Sequence, residues 1–134
     1  EIVDEIENMK DMEISQKLSH YFHRFMECVE TCGIHICRQW TRDVLDPNNT
    51  PDNKDGQKWI YDVEMLKGIL NNAVSNGELI QNTPVELLTY IIISELYGMM
   101  VSWCMSDGKF EPLEWTDKFC DFQLKTVLKP YISK

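Results

Sequence analysis

The sequence predicts an all-α protein, a bundle of about six helices forming one domain over residues 1–134. Three observations lead there. Apolar residues recur at i, i+3, i+4 and i+7 along several stretches, the spacing that puts them on one face of a helix. Gly and Pro punctuate those stretches at helix starts and stops. No run alternates polar and apolar residues as a half-buried strand does, and no repeat or low-complexity segment appears.

Residues 1–13, EIVDEIENMKDME, place Ile2, Ile6 and Met9 on one side among many acids, a short helix or the end of one. Ser15 is the expected cap of a second helix reaching about Cys32, with Leu18, Phe22, Phe25, Met26, Val29 and Cys32 on its apolar face. Gly33 interrupts it. A third helix follows with Ile34, Cys37, Trp40, Val44 and Leu45 inward. The stretch from Asp46 to Gln57, DPNNTPDNKDGQ, is a solvated loop by composition. Its alternating oxygens resemble a calcium loop, but Pro51 stands where that loop needs glycine and Gln57 where it needs a bidentate acid.

A fourth helix is expected over 58–76, with Trp59, Val63, Leu66, Leu70 and Ala73 on one face and Asn76-Gly77 as its stop. The central helix follows, TPVELLTYIIISELYGMMVSWCMS, with Thr83, Pro84 and Glu86 arranged as a start signal. It is apolar on all sides, which predicts burial on all sides. Glu86 and Glu95 break the run short of the ~20 apolar residues a bilayer crossing needs. Ser94, Gly98, Ser102 and Ser106 recur every four residues and form a small-residue ridge on one face. A mid-helix glycine costs about 1 kcal/mol against alanine, so Gly98 is expected to have a packing reason. That reason is a neighbouring helix, within the subunit or from a second one. Asp107-Gly108 ends the helix. Pro112 opens the last one, whose apolar side is Phe119, Phe122, Val127, Leu128 and Tyr131.

A net charge of −9 and a pI near 4.7 repel phosphate backbones, so nucleic-acid binding by this segment itself is disfavoured. The hydrophobic fraction of 43% and mean hydropathy of −0.33 are those of an ordinary globular domain. The five cysteines, at 28, 32, 37, 104 and 120, form no CxxC pair and lie in helical patterns, which predicts reduced thiols in a cytoplasmic protein. No signal or transit segment is visible, and a start at Glu1 without Met suggests a piece of a longer protein.

Catalytic motifs are missing: no Glu-x-x-His pair, HExxH, haem-attachment string, phosphate loop or nucleophile elbow occurs. The expectation is a protein that is not an enzyme and holds no cofactor. His20, His23, Cys28, Cys32, His35 and Cys37 raise the alternative of a metal or thiol sensor through Cys28, Cys32 and Cys37. Buried structural cysteines are the plainer reading, with no metal. Phe22, Phe25, Met26, Trp40, Tyr90, Tyr97, Met99, Met100 and Trp103 either fill a core or line an apolar cavity.

Asn76-Gly77-Glu78-Leu79 after a helix, then Thr83-Pro84, then Leu96-Tyr97-Gly98-Met99-Met100-Val101-Ser102-Trp103, and a last helix from Glu111-Pro112 to Tyr131 resemble the C-terminal domain of TetR-family transcriptional regulators. The likeness covers nearly the whole chain through degenerate motifs. The family's N-terminal helix-turn-helix, with its Ala-Gly turn and Tyr-x-His-Phe string, has no counterpart here. The resemblance implies an effector-binding and dimerisation domain that reaches DNA only through that missing part. It implies a homodimer whose last two helices pair with their copies in a four-helix bundle, through Ser94, Gly98, Ser102, Phe119, Phe122 and Val127. It also implies a pocket for a small apolar or aromatic effector among Phe22, Phe25, Met26, His35, Trp40, Leu66, Leu70, Tyr90 and Trp103, with His35 or Tyr90 as polar contacts. The alternative is a free-standing helical interaction module without a cavity.

Overall fold

In the computed structural model, which describes residues 2–46, 48 and 54–134, helix follows helix from end to end. The elements are α1 (Ile2–Glu7), α2 (Ile14–Cys32), α3 (Ile34–Leu45), α4 (Lys54–Ser75), α5 (Val85–Met105), α6 (Pro112–Phe119) and α7 (Lys125–Leu128). A π-helical turn, Cys120–Leu124, joins α6 to α7 without a break, and a 3-10 turn, Lys129–Tyr131, closes the run. Counting that run once, the described residues form an all-α bundle of six helices, with no strand among them.

The local chemistry of the ends explains the boundaries, and several differ from expectation. Helix α2 starts at Ile14, one residue before the expected cap Ser15. The Gln16 side chain accepts from the Glu13 N–H at 3.0 Å, and the free N–H of Ile14 is taken by the distant Glu78 carboxylate at 2.5 Å. Gly33, at φ +90°, ends α2 and begins α3, since its N–H reaches Val29 and its carbonyl receives Cys37 N–H. Helix α4 begins four residues earlier than expected, at Lys54; the calcium-loop reading falls mostly outside the described residues. Thr83 does not cap α5: its hydroxyl donates to the Ile80 carbonyl, and Pro84 stands just before the first helical residue. Arg38 closes the other end of α5, donating to the Cys104 carbonyl at 3.0 Å and to Asp107 at 2.8 Å. The Glu111 side chain caps α6 by accepting from the Leu113 and Glu114 N–H groups.

The core is contributed by Leu18, Tyr21, Phe22, Phe25 and Met26 of α2, Leu66, Leu70 and Ala73 of α4, and Leu88, Ile92, Ile93, Leu96, Met99, Met100 and Trp103 of α5, closed by Leu124 and Leu128. The expectation that α5 is enclosed on every face is corrected. α2, α3 and α4 pack on it, yet Leu87, Tyr90, Ile91, Ser94, Gly98, Ser102 and Met105 are exposed. Length and composition make α5 apolar enough to cross a membrane in spite of its two glutamates. Half of that stretch is buried inside the fold, as in a core helix. Cys32, Leu45, Trp59 and Phe122 are also expected inward and are exposed, Cys32 at the last residue of α2 and Leu45 and Phe122 to 77% and 75%. Leu45 is the last residue of α3, Phe122 sits in the π-helical turn, and Trp59 is covered only in part, by the Tyr90 ring.

Candidate functional site

The exposed face of α5 is the largest departure from simple core packing. Its small residues, Ser94, Gly98 and Ser102, lie open in one line, so the neighbouring helix expected against the ridge is not supplied by the described residues of this chain, and Ser106, the ridge's last member, is half-buried past the helix end. The same line continues to Leu87 and Ile91 before them and Met105 after them, exposed to 58%, 36% and 81%. These flanking residues were missed by sequence reasoning, although extending the helical register from Ser94 and Ser102 finds them. A Cβ built on Gly98 meets nothing within 4 Å, so the shallow centre of the stripe faces open space in the single chain.

The last helix flanks this face. Gln123 Nε2 donates to Glu95 Oε1 at 3.0 Å, anchoring the π-turn beside α5, and the neighbouring Phe122 projects outward. Burial raises the Glu95 carboxyl above its ordinary value, with the Gln123 bond opposing. Phe119 and Val127 do not share that exposure. Phe119 is half-buried, stacked on Trp115 at 5.5 Å and on Phe22 at 6.1 Å, and Val127 packs against the core. The interface set expected from the resemblance is thus divided: Ser94, Gly98, Ser102 and Phe122 are open, while Phe119 and Val127 pack within the chain.

The residues expected to bind an effector are divided too. Phe22, Phe25, Met26, Leu66, Leu70 and Trp103 are buried and Trp40 half-buried, but His35 and Tyr90 are on the outside. Tyr90 stacks on Trp59 there, with ring centroids 6.4 Å apart. Two rings of this set, Phe25 and Trp40, meet through Tyr97. Tyr97 contacts Phe25 at 5.3 Å and Trp40 at 5.8 Å. Of the cavities that the described residues line, those of about 510, 300 and 330 Å³ take no lining from the expected set.

What does lie at the centre is a polar knot. The Asp62 carboxylate, 2% exposed, accepts from the Tyr21 hydroxyl on one oxygen and from the Tyr97 hydroxyl on the other, the latter at 2.5 Å. Lys58 Nζ approaches it at 3.3 Å and stands 4.6 Å over the Phe25 ring. Burial, with Asp62 adding to it, pushes both phenols well above the ordinary tyrosine range. Sequence reasoning missed Asp62. Its signal was an acid on the apolar face of α4, one turn before Leu66.

The thiols separate by location. Cys28 and Cys32 are exposed on α2, Cys120 is buried, and Cys37 is buried against Cys104 of α5. His20 pairs with Glu5 at 2.7 Å and His23 with Asp117 at 3.0 Å. Among the described residues no three metal-ligating side chains come together. Compared with protein-family models, with curated proteins and with solved structures, the chain gives no match.

Proposed function

We propose that the chain is the dimerisation and effector-sensing part of a TetR-like transcriptional regulator of the cytoplasm, which contacts DNA through a helix-turn-helix unit outside this sequence. The observation behind it is the open stripe of α5, with bulky Leu87, Ile91 and Met105 bracketing small Ser94, Gly98 and Ser102. Contiguous exposed apolar surface of this kind marks an interaction site. Small residues at its middle let a second backbone approach closely. Phe122, next in sequence to the Gln123 that bonds Glu95 of α5, adds exposed apolar surface on the last helix. On this reading a second copy covers the stripe through a two-fold axis, each α5 meeting its twin.

The effector part of the proposal rests on the polar knot. A ligand that competes for Asp62, or that enters between Tyr97 and its ring neighbours, would favour a different packing of α2, α4 and α5. Such differential affinity is what converts binding into a population shift. A second reading, a helical interaction module with no effector, is favoured by the direct ring contacts of Tyr97 with Phe25 and Trp40.

Gly98→Leu tests the dimer, because Gly98 is exposed and a Cβ there meets nothing within 4 Å in the single chain. Sedimentation is expected to find a dimer for the wild type and a folded monomer for the variant. A wild type that stays monomeric at high micromolar concentration, or a variant that dimerises as well as wild type, overturns the reading. A thermal-shift screen with small aromatic and apolar compounds separates sensor from module, since a specific ligand raises the melting temperature by mass action.

A further inference from the structure

We propose that Cys37 and Cys104 form a reversible dithiol–disulfide site, oxidised by a hydroperoxide and linking α3 to the last turn of α5. The two sulfurs come from positions 67 residues apart and stand 2.8 Å from each other, and both side chains are 5% exposed. Their closeness selects the chemistry. A disulfide bond of about 2.05 Å needs only a small approach from there. A zinc ion with bonds of about 2.3 Å in tetrahedral geometry would hold two sulfurs roughly 3.8 Å apart, and among the described residues no group of three metal-ligating side chains includes this pair.

A second observation supplies access. A surface cavity of about 300 Å³ is lined by Cys104 together with Arg38, Thr41, Arg42, Val101 and Met105. Water occupies about 30 Å³, so a small hydroperoxide fits. Arg38 and Arg42 put positive charge on the side from which the oxidant arrives. The arrangement around the sulfurs is held: Arg38 donates to the Cys104 carbonyl and Thr41 to the Cys37 carbonyl at 2.9 Å.

The steps balance without a further reagent. The Cys104 thiolate attacks the terminal oxygen of the hydroperoxide, the O–O bond breaks, and an alkoxide or hydroxide leaves. Cys104 is now a sulfenic acid. The Cys37 sulfur attacks the Cys104 sulfur, the S–O bond breaks, and the departing hydroxide takes the Cys37 proton as water. Two sulfurs have lost two electrons to two oxygens. Burial, and then the neighbouring Cys104, pushes the Cys37 thiol up to about 12, so it stays protonated until the departing hydroxide takes its proton, and this second step is the slower of the two. An external dithiol reverses the link by exchange. Ser102 and Met105 flank Cys104 on the open stripe, so the link also fixes that end of the face.

The test treats the folded, reduced wild-type chain with a few equivalents of hydrogen peroxide, alkylates the remaining thiols in denaturant, and maps the products by non-reducing peptide mass spectrometry. The expected result is a Cys37–Cys104 linked peptide as the main product, removed by dithiothreitol and formed equally in a Cys28→Ser/Cys32→Ser chain. Two outcomes overturn the proposal. In one, Cys37 and Cys104 are both recovered alkylated while Cys28 or Cys32 is oxidised. In the other, the link forms only after the chain has been unfolded.

Discussion

The Tyr97 hydroxyl donates to Asp62 at 2.5 Å, joining α5 to α4 through a carboxylate that Tyr21 of α2 also holds. Three helices therefore share one buried anion, with Lys58 as its counter-charge. Removing one donor leaves the others in place, so Tyr97→Phe should lower stability by about 1–3 kcal/mol. Removing the carboxylate orphans both phenols and the lysine together, and Asp62→Ala should cost about 3–5 kcal/mol. Urea unfolding of the two variants checks the order. Equal costs would show that the knot is not organised around Asp62.

The same knot makes the fold sensitive to alkali. Both phenols are held above the ordinary tyrosine range, chiefly by burial and then by Asp62. Below about pH 10 they are protonated in folded and unfolded chains alike, and their contribution is fully present. Above it the unfolded chain releases those protons and the folded chain does not. Stability should then fall by about 1.4 kcal/mol per pH unit for each phenol. Tyr97→Phe should remove one of the two contributions. Denaturant unfolding at pH 9, 10 and 11 measures the slope, and a flat profile would contradict it.

Much of the fold was legible because helical spacing is a local signal. Leu18, Phe22, Phe25, Met26 and Val29 are all buried on α2, as are Val63, Leu66, Leu70 and Ala73 on α4. The failures share a cause, which is that one-chain periodicity cannot say how far a neighbour reaches. Trp59 keeps the α4 register yet lies outside it, and α5 is apolar all round although one stripe has no cover. The candidate sites were harder still. Asp62 meets partners 41 and 35 positions away, and Cys37 meets Cys104 at 67, distances at which a sequence pattern carries no pairing information. Asn76-Gly77-Glu78-Leu79 was legible as a helix stop, with Gly77 at φ +84°. Its second duty, capping α2, was not.

That second duty leads to a local prediction. Glu78 accepts the Ile14 N–H at 2.5 Å, a charged acceptor at a helix start. Its backbone is committed elsewhere: the Glu78 carbonyl accepts from Ser133 N–H at 2.9 Å, and Ile80 N–H donates to Tyr131. Glu78→Ala should therefore spare the tail pairing and cost about 1 kcal/mol at α2 alone. Hydrogen exchange should quicken at Ile14 and its first-turn neighbours while Ile80 and Ser133 keep their protection. Equal loosening at both places would assign Glu78 to the tail instead.

Glu95 gives the opposite kind of prediction, a substitution that stabilises. One of its oxygens bonds Gln123, while the other is buried and has no hydrogen-bond partner among the described residues. Burial raises its pKa above the ordinary 4.5, the Gln123 bond only partly offsetting this. The fold thus prefers the protonated carboxyl. That preference contributes stability below the ordinary value and is lost as pH climbs through the raised one. At neutral pH the ionised group is a liability. Glu95→Gln removes the charge and keeps an oxygen that can accept from Gln123. It should raise stability at pH 7 by about 1 kcal/mol or less, because solvent still screens a half-exposed group. The advantage should vanish near pH 4, where the wild-type carboxyl is itself neutral. Melting curves of the two proteins at pH 7 and pH 4 provide the comparison, and a variant less stable than wild type at pH 7 would show that the ionised carboxylate is held by partners stronger than Gln123.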